Sequence, residues 1–183
     1  MTIYTVGHST RSAQELLAIV RGAHVNLVAD VRAFPSSRRH PQFNRAALSE
    51  SLSEAGIGYV HMPGLGGRRK PAPDSPNGGW REAAFRGYAD YMASDEFRSA
   101  LANLEGAARK RPTTVMCAEA VWWRCHRRLI ADALTARGWR VEHLGVGEPP
   151  AVHALPEFAL VDSNGTITYP HRQATLLEPE QRR

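Results

Sequence analysis

Apolar positions recur along this chain in two alternating rhythms. Short dense runs alternate with longer stretches whose apolar side chains fall three and four residues apart. The first run, Ile3 to Val6, predicts a buried strand that ends at Gly7-His8-Ser9-Thr10. Ser12-Ala-Gln-Glu15 has the form of a capping box, and Leu16, Leu17, Ile19 and Val20 give the following helix one apolar face. Gly22 suits its stop. Val25 to Asp30 predicts a second strand, followed by a loop from Val31 to Pro41. Asn44 can cap a helix carrying Ala47, Leu48, Leu52 and Ala55, which Gly56 ends, and Ile57 to His61 is a third strand.

The rhythm breaks between Pro63 and Trp80, where prolines and glycines surround Arg68, Arg69 and Lys70. A loop of that length is uncommon inside a compact domain and is often functional or mobile. Helical spacing returns around Phe85 to Met92 and Phe97 to Ala108. Thr113 to Cys117 then predicts a fourth strand, Cys125 to Ala136 a helix ended by Gly138, and Trp139 to Leu144 a fifth strand. Phe158 to Val161 and Thr166 to Tyr169 flank the turn signal Asp162-Ser-Asn-Gly165 and predict a hairpin.

Strand and helix in alternation are the pattern of βαβ units. The expected fold is therefore α/β: three layers, with a mainly parallel sheet of about five strands, helices on both faces, and a small C-terminal hairpin. No linker divides the chain, so residues 1–176 are expected to form one domain and 177–183 a flexible tail.

Composition changes this picture little. The chain has 183 residues, of which 43% are hydrophobic and 22% charged, ordinary values for a globular domain. No apolar run reaches the ~18 residues of a membrane span, and the opening Met-Thr-Ile-Tyr-Thr-Val lacks the regions of a signal peptide. Two cysteines make no disulfide framework, so a cytoplasmic location is expected. The net charge of +5 is carried almost wholly by arginine, since Lys70 and Lys110 are the only lysines. Arginine suits bidentate phosphate recognition, which makes an anionic small molecule or a nucleic acid the partner to consider.

In a parallel sheet all strands end on one edge, so residues just past the strand ends share one region of space. The first strand delivers His8 and Ser9, the second Asp30 and Arg32, the third His61 and the basic loop, and the fourth Cys117 and Glu119. The connections at the other edge offer no comparable set. Open α/β folds bind ligands at the carboxyl edge, and the site is expected there. Ser36, Ser37, Arg38, Arg39 and His40 add donors for an anion, and Gly66-Gly67-Arg68-Arg69 could present backbone N–H groups to a phosphate. No Walker loop and no G-x-G-x-x-G are present.

Thr114 to Leu129 concentrates the chemistry, holding both cysteines, two tryptophans and three arginines. Three readings fit it. Cys117 could be a nucleophile activated by a helix N-terminus and arginine, although Trp123 stands where a Cys-x5-Arg phosphatase loop needs arginine. Cys117, Cys125 and His126 could bind zinc, with a fourth ligand from His8, His61 or Glu119. Glu119 could be a general acid or base, with Arg127 and the helix N-terminus stabilising negative charge. Against all three, buried cysteines are often only packing residues. Trp80, Trp122 and Trp123 could stack on bases or seal a core.

Thr5-Val-Gly-His-Ser9, Asp30-Val-Arg32 with Pro35 and Ser37-Arg38, Gly56-Ile-Gly-Tyr59, Leu65-Gly-Gly67, Met116-Cys-Ala-Glu-Ala120 and Cys125-His-Arg127 occur together and in order. In this the chain resembles the bacterial and archaeal family called domain of unknown function 488, over about Ile3 to Leu144. The resemblance implies a compact α/β fold with a shared polar pocket, and it implies no reaction.

The expected function is that of a small enzyme, a hydrolase or transferase, acting on a nucleotide or nucleic-acid end. Glu119 and His8 would handle protons, with Cys117 as a candidate nucleophile. Arg32, Arg38, Arg127 and Ser9 would hold the anion. Asp30, Tyr59, Gly66, Gly67, Cys125 and His126 would support the pocket. No cofactor is assigned, and no metal ligand set is complete. The rival expectations are a non-catalytic nucleic-acid-binding module and a zinc-binding protein.

Overall fold

The computed structural model describes residues 1–171, and the tail expected from residue 177 lies outside them. The strands are β1 (Thr2–Gly7), β2 (Leu27–Asp30), β3 (Gly58–His61), β4 (Thr113–Cys117), β5 (Arg140–His143), β6 (Ala151–Val152), β7 (Leu160–Val161) and β8 (Ile167–Thr168). The α-helices are α1 (Ala13–Gly22), α2 (Arg45–Glu54), α3 (Ala83–Tyr91), α4 (Asp95–Lys110) and α5 (Arg127–Ala136). Six strands form one sheet in the order β3-β2-β4-β1-β5-β6. The first five run parallel, and β6 closes the edge antiparallel to β5. The expected α/β class, mainly parallel sheet and C-terminal hairpin are all present, with β7 and β8 forming the hairpin. The sixth strand is an addition. It is two residues long with both side chains exposed, so no apolar alternation announces it.

The sheet alternation sorts the core into two layers. Val6, Val28 and Met116 point to one face and pack against Leu16 and Val20 of α1 and Leu48 and Leu52 of α2. Ile3, Val115 and Val141 point to the other, against Tyr88 of α3, Leu101 and Leu104 of α4, and Leu129, Ile130 and Leu134 of α5. Every residue of the inner strands β2 and β4 is buried, as a doubly covered parallel sheet requires.

This arrangement places the site. The chain leaves β1 toward α1 on one face and leaves β4 toward α5 on the other. β1 and β4 are hydrogen-bonded neighbours, so their connections part in opposite directions above the carboxyl edge and open a crevice there. At that point the two strands approach closely. A Cβ on Gly7 would fall on the carbonyl of Glu119, which leaves glycine as the residue that fits. His8 and Ser9 continue the pairing past the strand, donating from their amides to the carbonyls of Cys117 and Ala118 at 3.0 and 2.9 Å.

The expected capping box at α1 is formed: the Ser12 hydroxyl accepts from the Glu15 amide, and the Glu15 carboxylate accepts from the Ser12 amide. Asn44 occupies the N-cap of α2 but turns its side chain elsewhere, accepting from the Ser37 amide at 2.6 Å. That bond, with His40 donating from its amide to the Ser37 hydroxyl, ties down the loop after β2. The proline-rich loop is pinned from α3: Tyr88 and Tyr91 donate to the carbonyls of Leu65 and Gly64, and Asp90 accepts from Ala72, Ser75 and Asn77.

Candidate functional site

Above the carboxyl ends of β1, β2 and β4 lies a cavity of about 1220 Å³. Its walls come from the residues after β1, the loop after β2, the glycine-rich loop, the start of α3 and the segment from Cys117 to Arg128. His8, Ser9, Arg32, Gly67, Cys117, Glu119, Cys125 and His126 all line it, so eight of the residues singled out in the sequence meet in one place. Asp30 and Tyr59 stand behind Arg32. Arg38 and Gly66 are absent from the wall: Arg38 is exposed to solvent, and Gly66 lies against Ala33.

Asp30 is fully buried, and Arg32 is 7% exposed. Their ion pair is bidentate, Nε to Oδ1 at 2.9 Å and Nη2 to Oδ2 at 2.6 Å. The Arg32 amide and the Tyr59 hydroxyl also donate to the same carboxylate, at 3.1 and 2.8 Å. Burial and the Asp30 charge push the Tyr59 phenol up, which keeps it a donor. Arg32 Nη1 meets His8 Nε2 at 3.2 Å, and His8 Nδ1 meets the Ser9 carbonyl at 3.0 Å. Since both neighbours fix their own roles, Nδ1 carries the proton and Nε2 accepts from Arg32. Burial and then the Arg32 charge lower His8 to a pKa of about 4, against the hydrogen bond to Ser9. The ring is thus neutral near pH 7 and stacks on Phe43 at 4.1 Å.

Arg127 is 1% exposed and lies outside the cavity. Its Nη2 donates to the carbonyl of Glu119 at 2.6 Å and of Ala120 at 3.4 Å, and its Nη1 reaches the Thr5 hydroxyl at 3.4 Å. No carboxylate pairs with it among the described residues. It is a buried cation held by carbonyl dipoles directly beneath the Cys117–Glu119 turn.

Glu119 is exposed, and its carboxylate has no hydrogen bond or ion pair among the described residues. Cys117 and Cys125 are buried free thiols beside His126, whose Nδ1 lies 3.9 and 3.7 Å from their sulfurs. Pairing with Cys117 pulls the Cys125 thiol down, helped by His126 and Arg127, while pairing and burial push Cys117 up.

Of the remaining wall residues, Arg39, Arg68 and Trp123 are among those considered in the sequence, whereas Arg124, Arg128 and Phe34 carry no motif there. Arg39, Arg68, Arg124 and Arg128 join Arg32 there, against the two carboxylates Glu82 and Glu119. Arg128 lies over the Trp80 ring at 4.7 Å. Phe34 and Trp123 stand on the wall with 74% and 43% of their surface exposed. Trp80 and Trp122 are placed otherwise: Trp80 packs in the core, and Trp122 stacks on His143 at 4.1 Å. Two wall residues, Ser9 and Arg68, hold left-handed backbone with φ of 50° and 67°. Non-glycine residues in that region cost on the order of 1 kcal/mol each and gather at functional sites.

In fold and site this is an open α/β protein with a charged pocket at its switch point. The chain belongs to the family described as Domain of unknown function DUF488, whose pattern matches residues 12–134. The Gly7-His8-Ser9 turn precedes the matched residues, although it forms one wall of the pocket. No curated protein and no solved structure matches the chain. No helix among the described residues is long and apolar enough to cross a membrane.

Proposed function

We propose that the carboxyl-edge pocket binds a phosphate-bearing ligand of nucleotide type and that the protein is an enzyme acting on it. The observation that carries this reading is the charge of the wall, where four arginines stand beside the Asp30-paired Arg32 against two carboxylates, with Arg127 lacking a carboxylate partner among the described residues beneath it. Uncompensated cations in a concave, partly desolvated site attract anions strongly. Phe34 and Trp123 offer ring faces on which a base can stack, each such contact being worth about 1–3 kcal/mol. The volume is ample for a nucleotide.

The roles follow from the geometry. Arg32, fixed from behind by Asp30 and aligned by His8, keeps N–H donors for the anion, and the exposed Arg39, Arg68 and Arg124 close around it. Ser9 contributes a hydroxyl beside Arg32. His8 has both nitrogens engaged, so it positions Arg32 and does not carry protons. Arg127 acts through its field and by holding the Glu119 backbone. Glu119, whose carboxylate is uncommitted, is the group for general acid–base work. Two free cysteines at the pocket suit the reducing cytoplasm.

Glu119→Gln tests the enzymatic half of this reading. On a panel of nucleotides and nucleic-acid ends it is expected to abolish turnover while changing ligand affinity less than about twofold. Its stability should stay within about 0.5 kcal/mol, since the side chain has no partner to lose. Absence of turnover by the unaltered protein on the whole panel, together with nucleic-acid binding that falls steeply with salt, would instead establish a binding module.

A further inference from the structure

Cys117 ends β4, Cys125 comes directly after a 3-10 turn at Trp122–Arg124, and His126 is the N-cap of α5. Rigid elements on both sides therefore fix the three side chains. Their ligand atoms, the two sulfurs and His126 Nδ1, all lie within 4.8 Å of one another. With metal–sulfur bonds of about 2.3 Å and metal–nitrogen bonds of about 2.05 Å, a tetrahedral centre spaces sulfur and nitrogen about 3.6 Å apart. The observed separations are 3.7 and 3.9 Å. Both sulfur–nitrogen separations are within a few tenths of an ångström of coordinating ones.

Packing accounts for two buried thiols but not for the histidine between them. His126 turns Nδ1 to sulfurs alone, and its Nε2 is buried with no hydrogen-bond partner among the described residues. An ion held at Nδ1 would give that nitrogen a strong partner in place of two long sulfur contacts, and would leave Nε2 as it is. Gly67 backs the ring closely: a Cβ there would lie 2.9 Å from Nδ1, so the glycine-rich loop leaves His126 in this orientation.

We propose that Cys117, Cys125 and His126 form a three-ligand site for a thiophilic divalent cation, zinc foremost, with its fourth position open to the cavity. Two thiolates balance the charge of the ion, and softness favours zinc over magnesium or calcium. The histidines considered as fourth ligands are engaged elsewhere, His8 Nε2 by Arg32 and His61 Nε2 by the Arg32 carbonyl at 2.8 Å. Three protein ligands beside an open position are the pattern of catalytic zinc sites, whereas structural sites are closed by four. All three residues line the pocket, so the open position faces whatever binds there. The site goes beyond the phosphate reading and does not depend on it.

The test uses reduced, chelator-treated full-length protein titrated with zinc, and with cobalt as a spectroscopic reporter, in the absence of phosphate ligands. The expected result is uptake of a single ion per chain. The cobalt form should show thiolate-to-metal charge transfer with the intense visible bands of four-coordination, and bound zinc should shield both thiols from alkylation. Cys125→Ser and His126→Ala are each expected to weaken zinc binding more than about tenfold, with circular dichroism confirming the fold. Should either variant fail to fold, thiol protection in the unaltered protein decides. No uptake, cobalt bound without thiolate charge transfer, or full affinity in both folded variants overturns the site.

Discussion

Arg32 is held on one side by the Asp30 carboxylate and on the other by a neutral histidine, and this buried triad aims one guanidinium into the pocket. Asp30→Asn removes the counter-charge and leaves Arg32 buried and unpaired. A loss of about 3–5 kcal/mol is expected in urea unfolding, whereas Tyr59→Phe, which removes one of several donors to the same carboxylate, should cost about 1 kcal/mol. Arg68 presents the opposite balance. Its left-handed backbone is strained, so Arg68→Gly should raise stability or leave it level, by at most about 1 kcal/mol, while weakening anion binding. Thermal unfolding and anion titration of that one variant separate the two effects; a loss of stability with unchanged binding would place Arg68 in the scaffold. The limits of reading residues from sequence lie at this scale too. His8, Asp30, Arg32, Cys117 and Glu119 were legible because each stands at or just past a strand end. Arg124, Arg128 and Phe34 were not, since loops after the strands decide which side chains turn inward. Arg38 and Arg39 are adjacent, yet only Arg39 lines the wall. Arg127, expected to hold the anion, is buried and lies outside the wall.

Among the elements, the five long strands and five helices were legible because each is a dense apolar run or an amphipathic stretch bounded by a cap or glycine. β6 and the 3-10 turns were not: two exposed residues or a single turn leave no period to detect. The crossing of β1 and the turn after β4 carries the strictest requirement. Gly7→Ala forces the Glu119 carbonyl and Arg127 aside, and a loss of at least about 2 kcal/mol is expected from the displaced backbone. Because the same displacement moves Cys117 and Glu119, folded Gly7→Ala should also bind ligand more weakly. Thermal unfolding that matches the unaltered protein would show that the two strands leave room for a side chain there.

Across the whole molecule, burial of histidine sets a pH limit. Burial lowers His8 to a pKa of about 4, and burial with the His153 and Arg127 charges lowers His143 to about 3. In the unfolded chain each would titrate near its ordinary value of about 6.5. Below that pH the unfolded state takes up protons that the folded state refuses, so stability falls as pH drops from about 6.5 toward 4. Each histidine contributes a slope of up to about 1.4 kcal/mol per pH unit. His143 sits in a buried chain that runs from Thr5 through His153 and Asp132 to Tyr169, joining the sheet to α5 and the hairpin. Urea unfolding at several pH values should show His143→Gln less stable at neutral pH but with a shallower decline into acid; an unchanged slope would mean that His143 already takes up its proton when folded.

If one arginine-lined pocket recognises phosphate and base together, calorimetric titration at fixed salt will reveal it. Orthophosphate, a nucleoside and the matching nucleotides would be titrated into the unaltered protein and into Arg39→Ala/Arg124→Ala, whose exposed side chains carry no load in the fold. Nucleotides are expected to bind more tightly than either fragment. The double variant should lose more than about tenfold in nucleotide affinity, since charge-assisted hydrogen bonds contribute about 1.5–3 kcal/mol each. No binding by any nucleotide, or equal affinity in the double variant, would refute this mode of recognition.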